Sequence, residues 1–207
     1  MKKLESTLTN MLLVLTGITM VMVGILACMN ELTKEPIAQA NAKTLSDAVS
    51  AVVPGFDNDP IAEKRVETVD GVDYTIYPAK KGDQYLGAAV EASTLGFGGQ
   101  LTIIVGFDEE GNINDYSLLK HAETPGLGAK ADTWFKKSQK GDITGKNPGK
   151  GELTVSKDGG QIDAITASTI TSRAFLKAVN NAYKVYQGSA TDVNSGATEQ
   201  KSVAQAK

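Results

Sequence analysis

The stretch LTIIVGF (residues 101–107), DEEGN (108–112) and INDYSLLKH (113–121) decides the fold class. A run rich in β-branched residues meets a short polar turn with one glycine, and a second apolar run follows at once. So short a connection can join only antiparallel neighbours, because a parallel pair needs a crossover of a dozen or more residues. Working backwards, Gly96-Phe97-Gly98-Gly99 reads as a flexible turn, with strands at Tyr85–Ala92 and Tyr74–Tyr77. Lys80-Lys81-Gly82-Asp83 is the hairpin signal between those two strands. Helical spacing sets the flanks. Ile37, Ala40, Leu45, Val49 and Val52 predict an amphipathic helix over 37–52, ended by Pro54-Gly55. A second helix is expected over 129–139, with Trp134 and Phe135 as packing residues. A third runs from Thr171 to Tyr186, with Phe175, Val179, Ala182 and Tyr186 on one face. Between them a Gly/Lys/Pro-rich loop covers 141–151, and short strands are expected at Leu153–Val155 and Gln161–Ile165. Hairpin strands with helices at the ends give an α+β domain, an antiparallel sheet with flanking helices. The segment 188–207 has no periodic apolar pattern and is expected to be disordered.

The amino-terminal part has a different character. From Met11 to Met29 no residue is charged. As a helix this run spans roughly 28 Å, close to the hydrocarbon thickness of a bilayer. A single transmembrane helix is therefore expected. Lys2 and Lys3 precede it, while Glu31, Lys34 and Glu35 follow, so the amino terminus is placed in the cytoplasm and the remainder outside. The rival readings are a cleavable signal peptide and a lipoprotein signal, since Ile25-Leu26-Ala27-Cys28 resembles a bacterial lipobox. The retained helix is favoured because the apolar run continues through Cys28 to spanning length.

Composition closes off several chemistries. The net charge is −3, without the basic face of a nucleic-acid binder. One cysteine and one histidine, Cys28 and His121, exclude a disulfide framework, a closed zinc site and a thiolate-held cluster made by this chain alone. Redox chemistry here must ride on an organic cofactor.

Two segments carry chemistry. In Asp163-Ala164-Ile165-Thr166-Ala167-Ser168-Thr169-Ile170-Thr171-Ser172 a short strand runs through small hydroxyl residues straight into a helix. The first amides of a helix have no partner within it and its dipole favours an anion, so this is a phosphate seat with a hydroxyl nucleophile beside it. The simpler alternative is a helix cap. Thr171, already within the helix start, is expected to be dispensable for chemistry at Thr169. The second segment is His121-Ala122-Glu123-Thr124-Pro125-Gly126-Leu127-Gly128. Pro125 fixes φ, Gly126 is free to take positive φ, and the glycines let a flat ligand approach the backbone. An ordinary turn with an exposed glutamate is the alternative.

Together, and behind one apolar helix, the two motifs resemble those of the FMN-binding domain family, as found in the G subunits of Rnf electron-transport complexes. That family shows an acidic residue, two variable positions, Ser/Thr, a small pair and an acceptor Thr. Here these fall on Asp163, Ala164-Ile165, Thr166, Ala167-Ser168 and Thr169. The usual Gly-Ala-Thr centre reads Ala167-Ser168-Thr169 in this chain. The resemblance implies FMN joined through its phosphate to Thr169, a phosphoester installed by a separate flavin transferase using FAD. It also implies that Glu123, Thr124, Gly126 and Leu127 lie against the isoalloxazine, with Ser168 and Thr166 near the phosphate. It implies no catalytic acid or base and no metal ligand. The chain would be a subunit of an oxidoreductase, without a complete active site of its own. Its other partners would be the remaining membrane subunits of a complex moving electrons between ferredoxin and NAD while translocating Na⁺ or H⁺. The expected organisation is an anchor at 1–30, an extracytoplasmic FMN-binding domain at 31–187 and a tail at 188–207. The alternatives are the C subunit of a Na⁺-translocating NADH:quinone reductase, a standalone flavin-carrying lipoprotein, and a tethered binding module in which the threonines only cap a helix.

Overall fold

Strand pairing in the computed structural model, which describes residues 7–69 and 71–188, follows the chain without a crossover. The strands β1 (Arg65–Val69), β2 (Val72–Lys81), β3 (Gln84–Leu95), β4 (Gln100–Asp108) and β5 (Ile113–Lys120) form one antiparallel meander in the order β1-β2-β3-β4-β5. The hairpin read from residues 101–121 is the β4–β5 pair, with Val105 opposite Tyr116. The turn at 80–83 is tighter than expected. β2 runs through Lys81 and β3 starts at Gln84, with Gly82 at φ 58 between them. β1 escapes the sequence reading because RVETV is short, polar and largely exposed at the sheet edge.

The chain divides into two units, one ending at Thr44 and one beginning at Leu45. In the first, the described residues from Leu8 on belong to the helix α1 (Leu8–Val52), the one described helix long and apolar enough to cross a membrane. Its apolar side chains from Leu8 to Leu32 are exposed, as lipid-facing residues would be. The sequence reading separates a span at 11–29 from a helix at 37–52. The structure runs them together, and Pro36 lies inside the helix.

The second unit buries both faces of the sheet. On one face α3 (Thr169–Tyr186) packs Phe175, Val179 and Ala182 over Val90, Leu101, Ile103 and Val105. On the other, the last turns of α1 bring Ala48, Val49 and Val52 onto Tyr77, Ala89 and Ile104. Gly106 makes that approach possible, because a Cβ there would overlap the carbonyl of Val52. This two-sided burial explains why LTIIVGF is apolar throughout rather than alternating.

Two expected elements shrink. The helix over 129–139 is a 3₁₀ turn, Gly128–Lys130, followed by the four-residue α2 (Ala131–Trp134). Gly141 N–H donates to the Trp134 carbonyl and Ile143 N–H to that of Phe135, and Ser138 takes φ 65, so the chain folds back at once. Phe135 still packs as expected, stacked on Phe175 with ring centroids 4.3 Å apart. The strands expected at 153–155 and 161–165 reduce to one parallel bridge between Val155 and Ile162. The tail expected to be disordered lies outside the described residues from 189 on.

Candidate functional site

The second motif folds as its residues require. Leu127 N–H donates to the Thr124 carbonyl at 3.1 Å, and Gly126 has φ 76 behind Pro125, which are the requirements of a type II turn. Below this turn Glu123 is buried, 5% exposed. Its Oε1 accepts from Phe97 N–H at 2.8 Å and Gly98 N–H at 3.3 Å, and its Oε2 accepts the Thr171 hydroxyl at 2.8 Å. One side chain thus ties together the β3–β4 turn, the loop after β5 and the first turn of α3. Gly96 and Gly128 exist to admit it, since a Cβ at either would overlap a Glu123 carboxyl oxygen. A second tie holds the loop from beyond. The buried Tyr116 hydroxyl donates to the Ala131 carbonyl at 2.6 Å and accepts from Phe135 N–H at 3.2 Å. Desolvation of its ring pushes the phenol well above the usual tyrosine range, so it remains a hydroxyl donor.

The first motif meets the second across a cavity of about 380 Å³, within the size range of small-molecule sites. Phe97, Glu123, Thr124 and Leu127 line it together with Ser168, Thr169 and Thr171. Thr166 and Gly126 do not line it, and both are exposed. Phe97 and Leu127 are exposed by 68% and 41%, an apolar pair left open to a flat ligand. Thr169 is the first residue of α3. Ser168, at the cap position, makes no side-chain capping bond, so the opening amides of the helix face outward unclaimed by a cap. Ser172 braces the entry instead: its hydroxyl donates to the Ser168 carbonyl at 3.0 Å and accepts from Ile165 N–H at 2.9 Å. Exposed apolar side chains, a hydroxyl and uncapped helix-start amides around one cavity are the chemistry that the ring and the phosphate of a flavin mononucleotide call for.

Two threonines have structural partners that the sequence does not reveal. Thr171 is 1% exposed and carries the hydroxyl that meets Glu123. Thr169 does not act as a cap, and its hydroxyl accepts from Lys157 Nζ at 3.2 Å. Sequence reasoning also passed over Phe97, although an aromatic residue flanked by glycines in a turn, with no strand to bury it, is a signal of ligand contact.

Ala167 stands at φ 60, in the left-handed region. That conformation costs an alanine about 1 kcal/mol or more and a glycine nothing. It accounts for glycine at this place in the motif that the chain resembles. Ala167→Gly should therefore raise thermal stability by up to ~1 kcal/mol, or a few degrees, after the greater freedom of glycine in the unfolded chain is subtracted. Thermal unfolding of the two chains side by side checks this. A lower midpoint for the glycine variant would show that Ala167 carries no strain.

Comparison with known proteins agrees with this geometry. The model of a family described as FMN-binding domain matches residues 96–184, from the Phe97 turn into the last part of α3. The chain is similar to the G subunit of the ion-translocating oxidoreductase complex of Yersinia pestis, 36% identical over 170 residues that cover 77% of this chain and 80% of that protein. The protein of the same name from Aliivibrio fischeri is 37% identical over 169 residues, 75% of this chain and 80% of the relative. That of Stutzerimonas stutzeri is 34% identical over 157 residues, 72% and 68% of the two chains. This chain belongs to the family of ion-translocating oxidoreductase complex G subunits, and its FMN-binding domain holds the cavity between the Glu123 loop and the start of α3.

Proposed function

We propose that this chain is a membrane-anchored electron carrier whose FMN is joined through its phosphate to the hydroxyl of Thr169. The observation that carries the reading is the position of Thr169, at the start of α3 and on the wall of a cavity that Phe97 and Leu127 also line. A phosphate on that oxygen lies before the opening amides of the helix, and an isoalloxazine reaching along the cavity meets the two exposed apolar side chains. Ser168 stands beside the phosphate, and Thr124, Gly126 and Leu127 form the turn against the ring. Glu123 acts beneath them by holding the three segments in place. Bound there, FMN supplies the electron-carrying chemistry, while the protein fixes its position and polarity. A separate flavin transferase would load it from FAD, and the remaining subunits of the complex would exchange electrons with it, between ferredoxin and NAD, coupled to movement of Na⁺ or H⁺. The span at 11–29 would hold the chain in the cytoplasmic membrane with its amino terminus inside and residues 31–187 on the other side.

Coexpression of the chain with a flavin transferase, followed by a denaturing gel viewed under ultraviolet light, tests the reading. A fluorescent band at the mass of the chain is expected, because a phosphoester survives denaturation. A dark band would overturn the covalent attachment and favour a tethered module without bound flavin.

A further inference from the structure

The turn Ser156–Asp158 approaches the start of α3, and its middle residue is a lysine. Lys157 Nζ donates to Thr169 Oγ1 at 3.2 Å. Among the described residues that hydroxyl is the one polar side chain bonded to the Lys157 ammonium. The neighbouring carboxylate is taken. Asp158 accepts from Arg173 Nε at 2.7 Å and from Arg173 Nη2 at 2.6 Å, a two-pronged pair with both side chains largely buried. Hydrogen bonding to Arg173 holds the Asp158 carboxyl below its ordinary value, so the clamp persists through neutral pH. Because Arg173 lies in α3 itself, the clamp locks the 156–158 turn to the helix that carries Thr169. Nothing in the packing needs the ammonium, for Lys157 is exposed.

We propose that Lys157 is the residue that holds the flavin phosphate at Thr169, its ammonium supplying the counter-charge to the phosphodiester anion. The inference rests on Thr169 as the attachment point. In the loading step the Thr169 oxygen bonds to the flavin-bearing phosphorus of FAD. The pyrophosphate P–O bond breaks, AMP departs with the bridging oxygen, and the hydroxyl proton passes to solvent. One negative charge then remains on the phosphodiester, an ester-bond length beyond an oxygen that Lys157 already touches. Lys157 is thus a positioning residue for the phosphate, acting in concert with the amides of α3.

Full-length chain in detergent tests this with Lys157→Met and Lys157→Arg, each mixed with transferase and FAD. Intact-mass spectrometry gives the rate of FMN incorporation, and thermal unfolding is measured before and after loading. Lys157→Met should load about fivefold more slowly, the size of an exposed charge-assisted contact. Lys157→Arg should recover most of the rate. The unloaded midpoint should be the same in all three chains, whereas the gain in midpoint on loading should shrink in Lys157→Met alone. Loading of Lys157→Met at the unaltered rate, with FMN mapped to Thr169, overturns the role of Lys157 and leaves the attachment point standing. Failure of Lys157→Arg to recover the rate overturns it too, since charge would then not be what matters. FMN mapped to another residue of the unaltered chain overturns both.

Discussion

Glu123→Ala is expected to cost about 3 kcal/mol of stability and to leave the chain poorly loaded with flavin. The substitution strands three donors at once, the amides of Phe97 and Gly98 and the buried hydroxyl of Thr171. Each unsatisfied buried group costs on the order of 1 kcal/mol or more. It also empties the space that Gly96 and Gly128 leave for the carboxyl group. Glu123→Gln keeps one oxygen for the Phe97 amide and an NH₂ that can donate to the Thr171 oxygen, so it should recover most of the loss. Thermal unfolding reads the first effect. Hydrogen exchange reads its location, with faster exchange expected in residues 96–99, 122–128 and 169–172 together. Exchange raised in one of these segments alone would mean that Glu123 does not join them.

The second large effect is chemical. Thr169→Val should abolish covalent flavin, because valine keeps the shape of threonine and lacks the oxygen that the phosphoester needs. Thr169→Ser should retain it. Neither should alter stability by more than about 0.5 kcal/mol, since Thr169 makes no capping bond. In-gel fluorescence after coexpression with the transferase separates the variants, and a fluorescent Thr169→Val chain would move the attachment elsewhere. Thr171→Val, by contrast, removes the donor to Glu123 and should lower the thermal midpoint. It is therefore a structural variant and not a silent control.

The parts of this molecule legible in its sequence are those where one local rule decides the outcome. LTIIVGF and its return strand leave no room for anything but a hairpin. Phe175, Val179 and Ala182 mark the buried stripe of α3, and Pro125-Gly126 fixes the turn above the cavity. What stayed hidden depends on partners distant in sequence. Glu123 reads as an exposed turn residue until Phe97 and Thr171 are brought to it by the sheet and by α3. The 129–139 helix reads well by spacing, yet Gly141 and Ile143 fold back onto Trp134 and Phe135 and end it after one turn. Thr169 draws attention through its motif, whereas its hydrogen-bond partner Lys157, twelve residues earlier, belongs to no motif. The Asp158–Arg173 clamp, with the Val155–Ile162 bridge beside it, brings it there.

The attachment of FMN at Thr169 is the claim on which the rest turns, and one measurement addresses it directly. Full-length chain coexpressed with a flavin transferase is digested with trypsin, which cuts after Lys157 and after Arg173. The peptide 158–173 so released holds Thr166, Ser168, Thr169, Thr171 and Ser172 together. Tandem mass spectrometry is predicted to find this peptide heavier by FMN less one water, with the added mass on Thr169. The same peptide recovered without flavin, or with the flavin on Thr166, Ser168 or Thr171, would contradict the account.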